Sequence, residues 1–520
     1  MYICNMFVRK KKNKTGSVSV VVIDKSHGGY KEIKNFGVVN TEEEANALYQ
    51  KATTWVRTYA GQQELDFGGS SVKHQEVLEV ERVLSNISSV RLDFPKQILD
   101  QVYDSIGFNQ LNDNVLRNLV ISRICQPGSK RATVEYLKSY FEEDVSLDQI
   151  YRYMDKLNNT LREKIQQISV EHTRKILGGN IGVMFYDVTT LYFETGKQDA
   201  LRKNGFSKDG KTAESQIVLG LLVSADGYPL SYSIFNGSQY EGYTMIPIID
   251  DFIRRFSIKD FVVVADSGLM NKNNVDLLRK AGYKYILGAR IHGESQSVKE
   301  WILGQEKNND QSHEYVRSNG ERLILSYSSN RAKKDAHNRE KGLERLRKAY
   351  SSGLITKASV NKRGYNKFLT ISKDVEVKID EDKVAEDAQW DGLKGYITNT
   401  DLEPEMVISQ YHSLWYVERA FRITKGNLEA RPIFHFTEKR IEAHICICFI
   451  AYKVYKELQR IICEHNIVSL SVDKVLEIAK TIPTVKIHLP YNDTDRVETL
   501  FLTPRQKLIK PLLNLKSYFG

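Results

Sequence analysis

The chain has 520 residues and a mass of 59.7 kDa, more than one compact core organises, so two to four domains are expected. With 41% hydrophobic and 27% charged residues it is too apolar for a disordered chain, and no run approaches the ~18–20 apolar residues of a membrane span. Lys+Arg outnumber Asp+Glu by 75 to 65, and five cysteines exclude a disulfide scaffold.

The N-terminal residues MYICNMFVRKKKNK place a basic cluster after the apolar ones, the reverse of a secretory signal, so a cytoplasmic protein is expected. The charge excess is local. Between Arg317 and Lys367 there are 14 Lys/Arg against 4 Asp/Glu, which equals the net +10 of the whole chain. That stretch reads either as a solvated helix face or as an electrostatic footprint for nucleic acid.

In chain order, Ser17–Asp24 is β-branched and bounded by Gly16 and Gly28-Gly29, the mark of a small β-meander. Thr41 and Glu44 form a capping box opening a helix over Glu42–Tyr59. Pro95–Ser105, Asn112–Cys125, Lys130–Phe141 and Leu147–Leu177 carry apolar residues at helical spacing. Their short helices, with Lys130, Arg131 and Arg152 expected to be exposed, suit a helix-turn-helix-like module or an ordinary bundle.

The pattern changes at Gly178-Gly179-Asn180. Ile181–Tyr186 reads as a buried strand ending at Asp187, followed by strands at Leu191–Phe193, Gln216–Val223 and Leu230–Phe235. Tyr243–Phe256 is helical, Phe261–Ala265 is a strand ending at Asp266, Asn273–Lys280 is helical and Tyr283–Arg290 is a strand. Strands followed by helix–strand alternation predict a mixed α/β sheet. Residues 291 to 395 break the rhythm and read as an insertion holding the basic stretch, a helix at Ala332–Tyr350, and β-like pieces at Arg322–Tyr327 and Val375–Ile379. Lys394–Thr398 is a strand, and Glu403–Leu428 reads as one long helix.

Gly205–Thr212, GFSKDGKT, matches the phosphate-loop pattern literally. That mechanism needs a buried strand before the glycines and a helix after them. Here GKQDALRKN precedes and a strand follows, so the segment reads as a basic loop and not as a nucleoside-triphosphate site. Cys446 and Cys448 have the wrong spacing for zinc and sit in an apolar helix.

Ligands of open α/β sheets gather beyond strand carboxyl ends, where Asp187 and Asp266 both fall. Glu418 is the third acid. On a continuous helix, Tyr411, Trp415, Glu418, Arg422 and Lys425 fall within about 80° of one another. A buried Glu418–Arg422 ion pair is the structural alternative, but desolvation offsets most of its attraction. Three carboxylates can hold two divalent ions for in-line attack on a phosphodiester, and hard oxygen donors favour Mg²⁺, with Mn²⁺ as a substitute. Arg422 and Lys425 can hold phosphates, and Trp415 can stack on an unpaired base.

This set resembles the DDE transposases of bacterial insertion sequences, and most closely the group whose third-acid helix carries a Tyr-x2-Arg-x3-Glu-x6-Lys signature. Tyr411, Glu418 and Lys425 match it, with Trp415 in the aromatic position and Leu414 where the signature has arginine. The words FYDVTTLYFE (185–194), VVADSGL (263–269) and ARPIFHFTEKRIEAHICICFIA (430–451) are also similar to the family's. The resemblance implies an α/β ribonuclease-H-like core with a long insertion domain, a helical N-terminal region and a small β-rich N-terminal module.

The divisions expected are 1–60 for the β-meander and helix, 61–177 for a helical, DNA-binding region, 178–290 and 396–465 for the core, 291–395 for the insertion and 466–520 for a tail. The resemblance also implies catalytic and metal-holding roles for Asp187, Asp266 and Glu418, and DNA contacts by Tyr411, Trp415, Arg422 and Lys425. A homodimeric synaptic complex would bind the terminal inverted repeats of an element, nick each end and join it to target DNA. Arg422 or Arg419 would replace the missing arginine. A decayed DNA-binding relative, and a metal-dependent nuclease without strand transfer, are the alternatives.

Overall fold

A computed structural model describes the chain apart from residues 1–5, 27, 60–69, 158, 208–209, 270–271, 310, 357–358, 362–363, 372–376, 466, 468–469 and 516–520. It divides into two compact units, Met1–Ser88 with Lys486–Arg496, and Ser89–Val485 with Val497–Gly520. Among the described residues no helix is long and apolar enough to cross a membrane.

In the first unit, strands β1 (Met6–Lys12), β2 (Val18–Asp24) and β3 (Lys31–Val39) form the expected antiparallel meander. Helix α1 (Glu42–Tyr59) covers it, and Val20, Val22 and Ala52 make the core with Trp55 and Phe36. Helix α2 (Ser70–Ser85) follows, and β4 (Ile87–Arg91) leads onward.

The second unit opens with helices α3 (Phe94–Ile106), α4 (Asn114–Cys125), α5 (Lys130–Phe141), α6 (Leu147–Lys156) and α7 (Asn159–Ile176). The single helix expected over Leu147–Leu177 is two, because Leu157 is extended (φ −66°, ψ 105°) and terminates α6. Lys130, expected to be exposed, is buried, whereas Arg131 and Arg152 are exposed.

The sheet contains β5 (Val183–Tyr192), β6 (Gln216–Ser224), β7 (Pro229–Asn236), β8 (Val262–Ala265) and β9 (Lys284–Gly288), with helices α8 (Met245–Phe256) and α9 (Lys272–Lys280) in the connections after β7 and β8. Asp187 does not end its strand: β5 continues to Tyr192 and absorbs the separate strand expected at Leu191–Phe193. After helix α10 (Gln296–Leu303), β10 (Ser312–Val316) and β11 (Arg322–Tyr327) add to the same sheet. Arg322–Tyr327, expected inside the insertion, thus belongs to the core sheet, because β11 pairs antiparallel with β14 (Leu393–Thr398) over its full length. The excursion between β11 and β14 holds α11 (Ser329–Ser351), the hairpin β12 (Leu369–Ile371)–β13 (Val377–Ile379) and α12 (Glu381–Ala388).

The order is β10-β11-β14-β9-β8-β5-β6-β7. Strands β7-β6-β5 are antiparallel neighbours, and β5-β8-β9 are parallel. This mixed sheet with helices on both faces fits a ribonuclease-H-like core. Central strands buried on both sides read as continuous apolar runs, hence VVVA in β8 and the fully buried β6. Period-2 alternation sends Met184, Tyr186 and Val188 into one core and Phe185 and Leu191 into the other. The second of these cores is roofed by α13 (Pro404–His412), α14 (Trp415–Lys425) and α15 (Glu438–Glu464), with α16 (Val472–Ala479) beyond.

Helix α15 is buried nearly all round, including Cys446 and Cys448, as an internal helix must be. Lys453, which interrupts its apolar run, is fully buried. Its ammonium donates to Ser169 O (3.0 Å) and Thr173 Oγ1 (2.6 Å) and lies 4.4 Å from the Tyr228 ring centre. One turn on, buried Glu457 accepts from Tyr228 Oη at 2.7 Å and pairs with Arg460 at 2.5 Å. Burial alone would raise the Glu457 pKa, but hydrogen bonds from His172, Arg460 and Tyr228 hold it well below the usual carboxylate range.

A depressed folded-state pKa contributes stability above the unfolded value, near 4.5, that is lost as the pH falls below it. Glu457→Gln is expected to cost about 3–5 kcal/mol in urea unfolding at pH 7, with a smaller penalty at pH 3. An equal penalty at both would show that the carboxylate's charge contributes nothing.

Candidate active site

Parallel pairing of β5 with β8 aligns Tyr186 with Ala265, so the next residues, Asp187 within β5 and Asp266 just past the end of β8, come side by side. Alternation turns both toward the face carrying Phe185 and Val264, beneath α13 and α14. Asp187 is half-buried, and its Oδ1 accepts from the Val188 amide at 2.7 Å. Asp266 opens a turn closed by Leu269 N–H to Asp266 O at 3.1 Å. Arg290 braces that turn by donating to Ser267 O (3.1 Å) and Gly268 O (3.3 Å).

The long helix expected over Glu403–Leu428 is broken at Ser413–Leu414. Val417 N–H reaches Leu414 O, and Leu414 N–H reaches Tyr411 O, both at 3.1 Å and both three residues apart, which tightens the joint between α13 and α14. The shared helical face expected for Tyr411 and Glu418 therefore does not exist as drawn. Tyr411 points inward, buried, and donates its hydroxyl to Asp266 Oδ1 at 2.7 Å. Trp415, Glu418 and Arg422 are exposed, while Val417, Ala420 and Phe421 form the buried stripe of α14. Among the described residues no ion pair joins Glu418 to Arg422.

Asp187, Asp266, Glu418, Tyr411 and Trp415 line one cavity of about 230 Å³. Arg422 and Lys425 do not. They lie one and two turns farther along α14. Trp415, 45% exposed, stacks on Tyr416 at 4.0 Å, and Tyr416 stacks on Phe185 at 6.3 Å. Leu414, standing where the signature has arginine, is buried at the joint, packed in the core and also lining the acid cavity.

Sequence reasoning missed the cation that does enter the cavity, Lys394 of β14. Its ammonium lies 4.3 Å from the Tyr411 ring centre, with no hydrogen bond or ion pair among the described residues. Burial and the neighbouring Arg331 lower its pKa, against Asp266 and Glu418, which raise it. A lysine at the second position of a strand has no periodic signature to mark it. Only the sheet order, with β14 beside β9, reveals it. Two further cavities, of about 820 and 360 Å³, share Lys394 and Arg331 and extend the cleft beyond the acids.

Burial alone would raise the Asp266 pKa, but hydrogen bonds from Tyr411 and Ser267 and the charge of Lys394 bring it below its ordinary value. The hard carboxylate oxygens suit a divalent cation of the magnesium type. Among the described residues, no three acids, histidines or cysteines are drawn together closely enough to hold one ion in common.

The family of transposase DDE domains matches residues 179–453, just over half of the chain and including all three acids, and the chain belongs to that family. No curated protein matches it. Among solved structures, it is similar to the piggyBac transposase synaptic complex with hairpin DNA at 9% identity and TM-score 0.38, covering 84% of this chain and 79% of that one. It is also similar to the Mos1 transposase paired-end complex with left transposon end, at 13% identity and TM-score 0.15, covering 30% of this chain and 53% of that one.

Gly288 on β9 makes the Tyr411 contact possible, since a Cβ there would lie 2.4 Å from Tyr411 Oη and 2.9 Å from Ser267 N. Gly288→Ala is expected to cost about 1–3 kcal/mol in urea unfolding. An unchanged midpoint would mean that Tyr411 can leave Asp266 freely.

Proposed function

We propose that this protein is a cytoplasmic, nucleoid-acting transposase of a bacterial insertion sequence, cutting the element's ends and joining them to target DNA. The observation that carries the reading is three carboxylates, from two neighbouring strands and a roofing helix, lining one cavity in a chain of the DDE family. Asp187, Asp266 and Glu418 would hold Mg²⁺, or Mn²⁺ in its place. The bound ions would supply the positive charge that activates the attacking oxygen and stabilises the leaving one.

The chain's own groups fill the remaining roles. Tyr411 orients the Asp266 carboxylate and keeps it ionised. Lys394, whose ammonium has no hydrogen-bond acceptor among the described residues, would offer it from the wall of the acid cavity to the phosphate being cut, and so would occupy the role left open by Leu414. Trp415, on its aromatic stack, presents a face for an unpaired base. Arg422 and Lys425 would hold phosphates farther along the strand. Lys333, Lys334, Lys341, Arg345 and Lys348 of α11 are exposed and unpaired among the described residues, and would meet the DNA backbone. The working form would be a homodimer bridging two terminal inverted repeats.

The reading is tested by strand cleavage and 3′-end joining on duplexes carrying the element's ends, with Mg²⁺. Asp187→Asn, Asp266→Asn and Glu418→Gln are each expected to abolish cleavage while leaving DNA binding intact. Binding without cleavage by the wild type would favour a decayed relative, and cleavage without joining a nuclease.

Lys394→Met is expected to slow cleavage about 10- to 150-fold, the worth of one charged hydrogen bond. An unaltered rate would exclude Lys394 from the phosphate. Tyr411→Phe raises the Asp266 pKa, so activity should fall away at a higher pH on the acid side than in the wild type. Coincident acid limbs would remove Tyr411 from that role.

A further inference from the structure

A second cavity, of about 430 Å³, lies outside the acid cleft, between the α4–α5 corner and the loop joining α14 to α15. Arg123, Lys130, Arg131, Arg431, His435 and His444 line it. Arg123 is 5% exposed, Lys130 4% and His444 4%. Among the described residues, the side chains of Arg123 and Lys130 make no hydrogen bond or ion pair. The one carboxylate in the lining is Glu429. His444 Nε2 is engaged with Ala430 O at 3.0 Å, and its Nδ1 is buried without a partner among the described residues. The N-terminus of the 12-residue helix α5, capped by Ser129, adds its partial positive charge.

Cations buried together and outnumbering their counter-charge are costly. The groups respond by shedding protons. Burial, then the neighbouring Arg123, pushes Lys130 down to about 7. Burial and repulsion from Lys130 and Arg123 push His435 down to about 3, and His444 falls well below its ordinary value for the same reasons. Such a cluster of donors suits an anion.

We propose that this cavity binds a phosphate group, and that its source is the backbone of the DNA strand leaving the acid cleft. A guanidinium, an ammonium and a helix N-terminus together are the donors that recognise phosphate. The cavity connects to the acids through β5. Ile433 N–H donates to Tyr192 O at 3.0 Å, and the Arg431 guanidinium lies 5.8 Å from the Tyr192 ring centre. Tyr192 is five residues past Asp187 on that strand, about 17 Å away. A single strand passing the acids can therefore place a later phosphate in this cavity. The DNA source rests on the function proposed above, whereas the phosphate site does not.

The experiment uses the full-length chain and needs no cleavage. Millimolar inorganic phosphate is expected to raise the wild-type Tm by a few degrees, saturably, where sodium chloride of equal ionic strength does not. Arg123→Gln and Lys130→Gln should lose this protection, and Lys130→Arg should keep it. Both glutamine variants should also bind duplex DNA with a log–log salt slope smaller by about one, the signature of one lost phosphate contact.

Phosphate protection with an unchanged salt slope would overturn the DNA source and leave a site for a free phosphate ester. No protection of the wild type, which is read even if the variants fail to fold, would overturn the proposal. Because neither readout involves strand cutting, a protein that binds phosphate but cleaves nothing would fail the catalytic reading and not this one.

Discussion

Everything at the candidate site depends on one piece of register, the parallel pairing that sets Tyr186 against Ala265 and so releases two aspartates side by side. Like charges on adjoining strands repel. The surrounding fold answers that repulsion. The Val188 amide holds Asp187, while Tyr411 and Ser267 donate toward Asp266. Lys394 brings a positive charge into the same cavity from a strand contributed after the excursion. The excursion's return is thus part of the site's electrostatics, because β14 pairs with β9 and carries Lys394 with it.

Much of this was legible from residue pattern alone. The β8 run VVVA followed by aspartate reads as a short buried strand with a polar exit, and the strands expected at Gln216–Val223 and Leu230–Phe235 are the antiparallel neighbours β6 and β7. Two failures share a cause. The end of β5 was misread because Val188–Tyr192 continues in β conformation past a charged residue, and local sequence does not show that a facing strand, β6, is there to hold it. The α13–α14 joint was missed because Ser413 and Leu414 are compatible with a helix. Only packing on the sheet decides where the axis bends.

The exposure of Lys130 was misjudged for a related reason. At the first position of a helix a lysine normally reaches solvent, but the loop from Glu429 to His435 folds over it. The basic stretch also changes meaning once folded. Arg317 pairs with Glu294 and Glu321, Arg322 with Glu314, and Arg339 with Asp391, so much of its arginine charge is structural. What remains facing outward on α11 is mostly lysine, the more mobile and more strongly hydrated cation.

The joint also sets where Leu414 stands relative to Tyr411 and Glu418. In an uninterrupted helix, positions 411 and 418 are almost superposed in projection, and residue 414 shares the flank between them. With the chain tightened at Ser413–Leu414, Tyr411 faces down to Asp266 and Glu418 stays at the cleft mouth, while Leu414 packs in the apolar core with Val417 and Phe421 and also lines the acid cavity. Positive charge then reaches the cleft from the opposite wall, through Lys394 and, behind it, Arg331. The site's sign balance is set by which element carries the cation, and not by the count of matched signature letters.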